Sequence, residues 1–274
     1  MKALLVGGNG FIGKNFCEFL KTIDVEFDTI GRKDLLPPTF PDYDYIFYLA
    51  GEVRKPEDMY FAHVSTLYGV LCRSLDIHST FVYVGSSSEY GRMDEPMTEE
   101  HAINPTNLYE ATKGVGTLLC QGFARQFNRP ILIVRPSSVY GKYERPEKFI
   151  PTIIRNIQNK EKINVYRGNH DWIYIQDFID ALFRILTEAD PDKLFGEIYN
   201  ISSARQYSNL EVAHIICDMV GCNTASIIFH EENFHQHDCD CWVVDNSKVM
   251  ALGWEPKYEL RTGLKETLKA MGVI

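Results

Sequence analysis

Tyr109 and Lys113 lie four residues apart in the stretch Tyr109-Glu-Ala-Thr-Lys113. On a helix that spacing turns a phenol and an ammonium to the same face, where the cation can tune the phenol's acidity. Surface helices carry such pairs by chance, so this one gains meaning only from its surroundings. Two motifs precede it: the glycine-rich run Gly7-Gly-Asn-Gly10-Phe-Ile-Gly13 and, about twenty residues before the pair, the cluster Gly85-Ser86-Ser87-Ser88-Glu89-Tyr90-Gly91.

The elements that must position these groups follow from periodicity. Ala3 to Val6, Phe27 to Ile30, Tyr45 to Leu49, Phe81 to Val84 and Ile131 to Val134 are short apolar runs rich in β-branched or aromatic residues, the texture of buried parallel strands. Phe11 to Lys21, Met59 to Asp76 and Asn107 to Phe127 have helical periodicity, and the alternation predicts a doubly wound α/β sheet. The connection from Arg32 to Asp44, with Pro37, Pro38 and Pro41, is short for a further helix and strand, so the sheet is expected to be trimmed there. After Pro136, helices are predicted over Phe149 to Asn159, Phe178 to Ala189 and Ser208 to Val220, with strands over Ile163 to Tyr166, Trp172 to Ile175 and Ile198 to Ile201. Ser208 and Glu211 have the spacing of a capping box. No repeat or flexible linker divides the chain, so two lobes with interleaved segments are expected.

The first strand ends at Gly7, and Gly10 and Gly13 follow as the first helix opens. Glycine at these points permits a tight turn, close approach of backbone to a pyrophosphate, and close helix-to-strand packing, while the helix N-terminus offers N–H groups to an anion. At the end of the second strand, where an acid would accept hydrogen bonds from a ribose diol, the chain has Gly31-Arg32-Lys33. A cation pair there suits a 2′-phosphate and favours NADP(H), with NAD(H) as the alternative; a solvated basic turn is the plainer reading.

A net charge of −9 with no basic stripe argues against a nucleic-acid-binding surface. The first apolar run is too short for a signal-peptide core or a membrane span, so a cytoplasmic protein without membrane association is expected. Its seven cysteines, at irregular spacing, are expected to be reduced.

With the glycine turn, Ser86 and the Tyr109/Lys113 pair in this order, the chain resembles the extended short-chain dehydrogenases/reductases, in particular their nucleotide-sugar epimerase, dehydratase and ketoreductase branch. The resemblance extends through Tyr48-Leu-Ala-Gly51, Arg135-Pro-Ser-Ser-Val-Tyr-Gly141, Asp171-Trp-Ile-Tyr-Ile-Gln-Asp177 and Leu252-Gly-Trp-Glu-Pro256, so it covers nearly the whole chain. It implies a Rossmann-type lobe of residues 1–141 plus 171–201 and a smaller, interleaved substrate-binding lobe of 142–170 plus 202–274. It implies Tyr109 as general acid/base, Lys113 as the cation that lowers the phenol's pKa together with oxidised nicotinamide, and Ser86 as a hydrogen-bond partner of the reacting oxygen. The cofactor is expected against Gly7, Asn9, Gly10, Phe11, Ile12 and Gly13, then Arg32, Leu49, Ala50 and Gly51, then Tyr109, Lys113, Arg135 and Pro136. The nucleotide sugar is expected against Ser87, Ser88, His170 and His235.

Dehydratases of this group place an acid two positions before the tyrosine of the serine-cluster motif, often with a second before it. Here those positions are Ser88 and Ser87, and Glu89 is one residue late. A shift by one residue on extended backbone points a side chain the other way, so the dehydratase is disfavoured. A reductase of 4-keto deoxysugar nucleotides is preferred, with a 4-epimerase holding NAD as the alternative and a non-catalytic dinucleotide sensor as the rival from another class.

The resemblance also exposes departures. Arginines usual in the group before Asp171 and three residues before Asp238 are replaced by His170 and His235, and histidine cannot make arginine's bidentate fork. Lys142, Arg145 or Arg205 could take over the diphosphate, or the substrate is less phosphorylated. The run His235-Gln-His237-Asp-Cys239-Asp-Cys241 has metal-ligand residue types, but strict alternation on a strand suits a tetrahedral ion poorly, and no metal is expected. A homodimer is implied by the resemblance, through the Met59 to Asp76 and Asn107 to Phe127 helices, with Leu67, Val70, Leu71, Leu118, Leu119 and Phe123 as the available apolar surface.

Overall fold

In the computed structural model, residues 1–190, 193–233 and 241–274 are described. The N-terminal sequence alternates β1 (Lys2–Val6), α1 (Phe11–Thr22), β2 (Glu26–Ile30) and β3 (Tyr45–Tyr48). A broken helix follows: α2 (Pro56–Tyr60), a π-helical turn (Phe61–Ser65) and α3 (Thr66–Ser74). Then come β4 (Thr80–Val84), α4 (Leu108–Phe127), β5 (Ile131–Pro136), β6 (Ser138–Tyr140), α5 (Phe149–Gln158), β7 (Ile163–Arg167), β8 (Asn169–Tyr174) and α6 (Ile175–Glu188). The chain continues through β9 (Phe195–Ile201), β10 (Gln206–Ser208), α7 (Asn209–Val220), β11 (Ile227–Asn233), α8 (Ser247–Met250) and α9 (Leu260–Ala270).

Six strands form one parallel sheet in the order β2-β1-β3-β4-β5-β9. Because side chains alternate along a strand, β1 feeds two cores: Ala3 and Leu5 pack on one face with Phe16 and Leu20 of α1 and Phe178 and Leu182 of α6. Leu4 and Val6 pack on the other face with Leu67, Val70 and Leu71 of α3 and Cys120 and Ala124 of α4. Each buried leucine of this kind contributes roughly 2 kcal/mol. Residues 31–44 supply neither helix nor strand, so the sheet is trimmed as its sequence suggests. One consequence differs from expectation: β2 is not a buried strand but the sheet edge, with Glu26, Asp28 and Thr29 exposed, because no strand follows to cover it.

A third core joins α5, β7, α7 and α9 through Ile150, Ile153, Val165, Val212, Ile216, Leu264 and Leu268. Strand β8 serves both regions, since Trp172 belongs to this third core and Ile173 to the core under the large sheet. Ser208 caps α7 with Glu211 in a complete capping box.

The apolar face proposed for pairing of subunits is composed differently from the sequence reading. Leu67, Val70 and Leu71 are fully buried against their own sheet, and Leu119 and Phe123 pack against the same core. Of the residues named, Leu118 does face outward, and the 3.6-residue period turns Tyr60, Phe61 and Tyr68 outward with it, together with Val115 and Phe127 on α4. Among the described residues no helix is long and apolar enough to cross a membrane.

Candidate active site

A cleft of about 1410 Å³ runs from the C-terminal ends of β1, β3 and β4 to α5, β7 and β8. That exceeds the usual volume of a single small-molecule pocket, roughly 300–1,000 Å³, and is room for two ligands end to end. Gly7, Asn9, Gly10, Phe11 and Ile12 line one end, together with Arg32, Leu49, Ala50 and Gly51.

The glycine turn has the form that an anion-binding backbone needs. Gly7 has φ +94°, and a Cβ there would lie 2.6 Å from the Ala50 nitrogen. Gly10 is the N-cap of α1, without a side-chain cap and without an acid in the first turn, so N–H groups and the positive helix end face the cleft. Gly13 does not line the cleft; its absent side chain lets α1 approach the turn, since a Cβ would stand 2.3 Å from the Gly7 oxygen. These residues fit the pyrophosphate of a dinucleotide.

At the adenosine end the basic turn is less free than its sequence suggests. Arg32 Nη2 is 2.6 Å from Glu52 Oε2. Asp34, absent from the sequence reading, curls back so that its Oδ2 accepts the Gly31 N–H at 2.6 Å. A Cβ on Gly31 would meet both Asn9 Nδ2 and Asp34 Oδ2, so an acid and a guanidinium both border this end of the cleft.

Ser86, Tyr109 and Lys113 converge on the middle of the cleft. Ser86 follows β4 as the N-cap of a one-turn 3₁₀ helix, its Oγ 2.7 Å from Ser88 Oγ and its N–H donated to Glu89 Oε1 at 2.9 Å. Tyr109 sits in the first turn of α4, capped by Asn107, with Ser86 close enough to act on its hydroxyl. Burial raises the phenol's pKa; Ser86 and the charge of Arg145 draw it back down, while Glu89 and Glu110 oppose them. Arg145, which the sequence reading did not connect with the phenol, is thus a cation that acts on it. Lys113 is itself pushed down to about 8 by burial, which Glu89 and Cys120 oppose, and its Nζ is committed to the Val84 carbonyl at 2.8 Å. Helical spacing put Lys113 on the correct face but could not reveal how dry that face is.

Arg135 is a second correction. It does not line the cleft: it is 1% exposed, its Nε 3.0 Å from Glu89 Oε2 and its guanidinium 4.5 Å from the centre of the Tyr90 ring. Strand alternation turns it beneath the serine cluster, whereas Pro136 faces the cleft. Glu89, with no exposure, accepts from Ser86 N–H, Thr117 Oγ1 and Arg135 Nε, and is likewise outside the lining.

Ser87, Ser88 and His170 line the cleft; His170 lies toward its far end, with its ring 5.4 Å from Trp172 and 6.0 Å from Trp242. His235, His237 and Cys239 lie outside the described residues. Of the three cations considered as substitutes for the arginines, Lys142 pairs with Glu18 and Arg205 with Glu259, both away from the cleft, while Arg145 lines it. Glu52 is the hub that sequence reasoning missed. It is 1% exposed and meets its near neighbour Arg54 together with Arg32 and Arg145 from two segments distant in sequence. Burial alone would push its carboxyl up, yet the Val53 N–H, Arg32, the Arg54 N–H and Arg145 hold it well below the usual carboxylate range.

Comparison with known proteins places this geometry in a lineage. Residues 3–202 match the family model described as NAD dependent epimerase/dehydratase family. The low-salt glycan biosynthesis protein Agl12 of Haloferax volcanii is 31% identical, over 97% of this chain and 96% of its own. Several further curated relatives are spanned over only about half their length. The fold is that of the UDP-glucuronic acid 4-epimerase from Bacillus cereus, solved with UDP-glucuronic acid and NAD (TM-score 0.86, 21% identity, 99% of both chains). It is equally that of RMD from Pseudomonas aeruginosa complexed with NADPH (TM-score 0.83, 20% identity, 98% of both chains). A dinucleotide turn, a Ser–Tyr–Lys cluster facing one cleft and a family match over most of the chain agree, and the chain belongs to the NAD-dependent epimerase/dehydratase family of extended short-chain dehydrogenases/reductases.

Proposed function

We propose that the chain reduces a 4-keto sugar nucleotide, with NADP(H) as the preferred cofactor. The observation that carries this reading is the placement of Glu89. The one acid of the serine cluster is locked beneath the site by Arg135 and Thr117, so the cluster itself turns no carboxyl toward the cleft to assist loss of water. Tyr109 is then the proton donor that faces the middle of the cleft, and a single proton is what reduction of a ketone requires.

The cofactor would lie along Gly7, Asn9, Gly10, Phe11 and Ile12, past Arg32 and along Leu49, Ala50 and Gly51, to Pro136. When bound it supplies hydride exchange. The chain's own residues do the rest: Ser86 holds the keto oxygen by a hydrogen bond, Tyr109 gives it a proton, and Lys113 keeps positive charge beside the nicotinamide ribose. The sugar nucleotide would extend past Ser87 and Ser88 to His170 and His235, with Arg145 reaching its charged part. In this reading residues 1–141 and 171–201 form the cofactor lobe and 142–170 with 202–274 the substrate lobe. A homodimer built on the outward face of α2, α3 and α4, working in the cytoplasm, completes it.

A 4-epimerase with bound NAD is the second reading, and Asp34 favours it, because a carboxylate beside Asn9 can accept both hydroxyls of an unphosphorylated ribose. Mass spectrometry of cofactor released from the purified protein separates the two, followed by absorbance of reduced nicotinamide with 4-keto-6-deoxy sugars carried on dTDP, UDP or GDP. Stoichiometric NADPH consumption is expected; bound NAD and product formed without net redox change would replace the reductase by the epimerase. Tyr109→Phe is expected to abolish either activity while leaving cofactor binding within about two-fold. Turnover by that variant would remove Tyr109 from its role.

A further inference from the structure

His63 occupies a place that no local rule explains. It lies in the π-helical turn Phe61–Ser65, with the residue 1% exposed, and π-turns interrupt α-helices frequently at functional sites. Its Nε2 accepts the backbone N–H of Glu52 at 3.0 Å. A ring nitrogen that accepts carries no proton, so the proton of the neutral imidazole is on Nδ1. Nδ1 is 2.8 Å from Thr112 Oγ1 and donates to it. The Thr112 hydroxyl proton is then given to the backbone carbonyl of Tyr109, 3.0 Å away. Burial first, and the charge of Lys113 second, push the imidazole down to about 3 against the pull of Glu52, so the neutral tautomer holds.

The ring also touches the chemistry directly. Its centroid is 5.6 Å from that of Tyr109, with planes at 73°, an edge-to-face contact. A Cβ placed on Gly51 would stand 3.6 Å from His63 Nε2 and 3.8 Å from Lys113 Nζ, so both nitrogens border the same stretch of cleft wall. A ring that merely filled space would need neither hydrogen bond.

We propose that His63 is a positioning residue: a neutral strut, bonded at both ring nitrogens, that joins the loop at Gly51 and Glu52 to the turn of α4 carrying Tyr109, Thr112 and Lys113. It thereby fixes the register between the wall against which the nicotinamide would rest and the phenol that meets Ser86. The inference rests on the roles proposed above for Tyr109 and Lys113. Register is worth this investment, because a displacement of about 1 Å at reacting atoms can cost on the order of 100-fold in rate.

The test uses the full chain with tyrosine labelled at its ζ-carbon, the Tyr109→Phe spectrum identifying the resonance by NMR. His63→Leu removes both bonds; His63→Asn keeps an amide donor where Nδ1 faces Thr112; Thr112→Val cuts the chain of bonds one link later and serves if the leucine variant does not fold. In His63→Leu and Thr112→Val, loss of alignment with Ser86 is expected to raise the Tyr109 titration until the phenolate population at a given pH falls about ten-fold. His63→Asn should restore it. Added NADPH, read by its fluorescence, is expected to bind several-fold more weakly to His63→Leu, whose Glu52 N–H has lost its acceptor. Titration and affinity both unchanged in the leucine and valine variants, or an asparagine variant shifted as far as leucine, overturns the proposal. Turnover of sugar nucleotides by Tyr109→Phe would instead overturn the reading of Tyr109 as acid/base while leaving these measurements intact, so the two failures are distinguishable.

Discussion

Two almost fully buried glutamates hold arginines in this molecule, and they do so for different ends. Glu89 meets Arg135 with both side chains essentially out of water, 0% and 1% exposed. Glu52 is as dry, at 2%, but its partners Arg32, Arg54 and Arg145 are 56%, 57% and 31% exposed. The first pair is a beam under the serine cluster. The second is a clasp across the mouth of the cleft, between the segment after β3 and the loop after β6. The contrast teaches that what decides a buried carboxylate's part is how easily its partners can return to solvent, not its own burial.

The largest effect follows from breaking the beam. Glu89→Ala strands the Arg135 guanidinium where water cannot reach it, and one guanidinium nitrogen, Nη1, already has no partner. Removing one member of such a pair costs about 3–5 kcal/mol, and chemical denaturation of the variant should show a loss of that size. Because Glu89 also accepts the Ser86 N–H and Thr117 hydroxyl, the serine cluster should loosen with it. A loss below about 1 kcal/mol would mean that Arg135 finds another partner.

How much of this was legible in the sequence divides along the same line. The placement of Gly7, Gly10, Ser86, Tyr109 and Lys113 along one cleft was legible because it depends on short spacings within one strand, turn or helix. The alternation of strand and helix was legible for the same reason, down to the trimmed stretch after β2. Arg135 was misassigned because a motif gives its neighbours, not the face its side chain takes beneath α4. Spacing put Lys113 on the cleft-facing side of its helix, but its burial, which pushes the ammonium down to about 8, cannot be read from spacing. Glu52 and His63 gave no signal: Glu52 meets Arg32 and Arg145, and His63 meets Thr112, across long stretches of chain, and a lone histidine in a helical run reads as core.

An intermediate effect is expected at the clasp. Glu52→Gln keeps an acceptor but loses the charge, and its arginines can turn to water, so a cost of about 1–2 kcal/mol is expected after allowance for screening. The sign with pH is fixed by the depressed carboxyl. A group whose folded pKa lies below its unfolded value of 4.5 contributes stability that is fully present above pH 4.5 and is lost as pH falls through the folded pKa. Wild type and variant should therefore differ by a constant amount at neutral pH and converge in acid. A gap that persisted unchanged far into the acid range would assign the loss to shape and not to charge.

The smallest effect is expected where solvent competes most. Arg54 Nη1 and Glu147 Oε1 are 2.8 Å apart, yet 57% and 44% exposed, so Arg54→Ala should cost about 0.2–1 kcal/mol and less in high salt. This is the informative limit of the comparison, because Arg54 also reaches Glu52, at 3.4 Å. If the clasp is a set of independent surface contacts, the Arg54→Ala and Glu52→Gln losses add. If Arg54 instead braces the carboxylate for Arg32 and Arg145, the double variant will cost less than the sum, by an interaction energy that a double-mutant cycle reads directly. A non-additive result would mean that the segment after β3 and the loop after β6 close as one unit, so that the clasp resembles the beam more than its exposed arginines suggest.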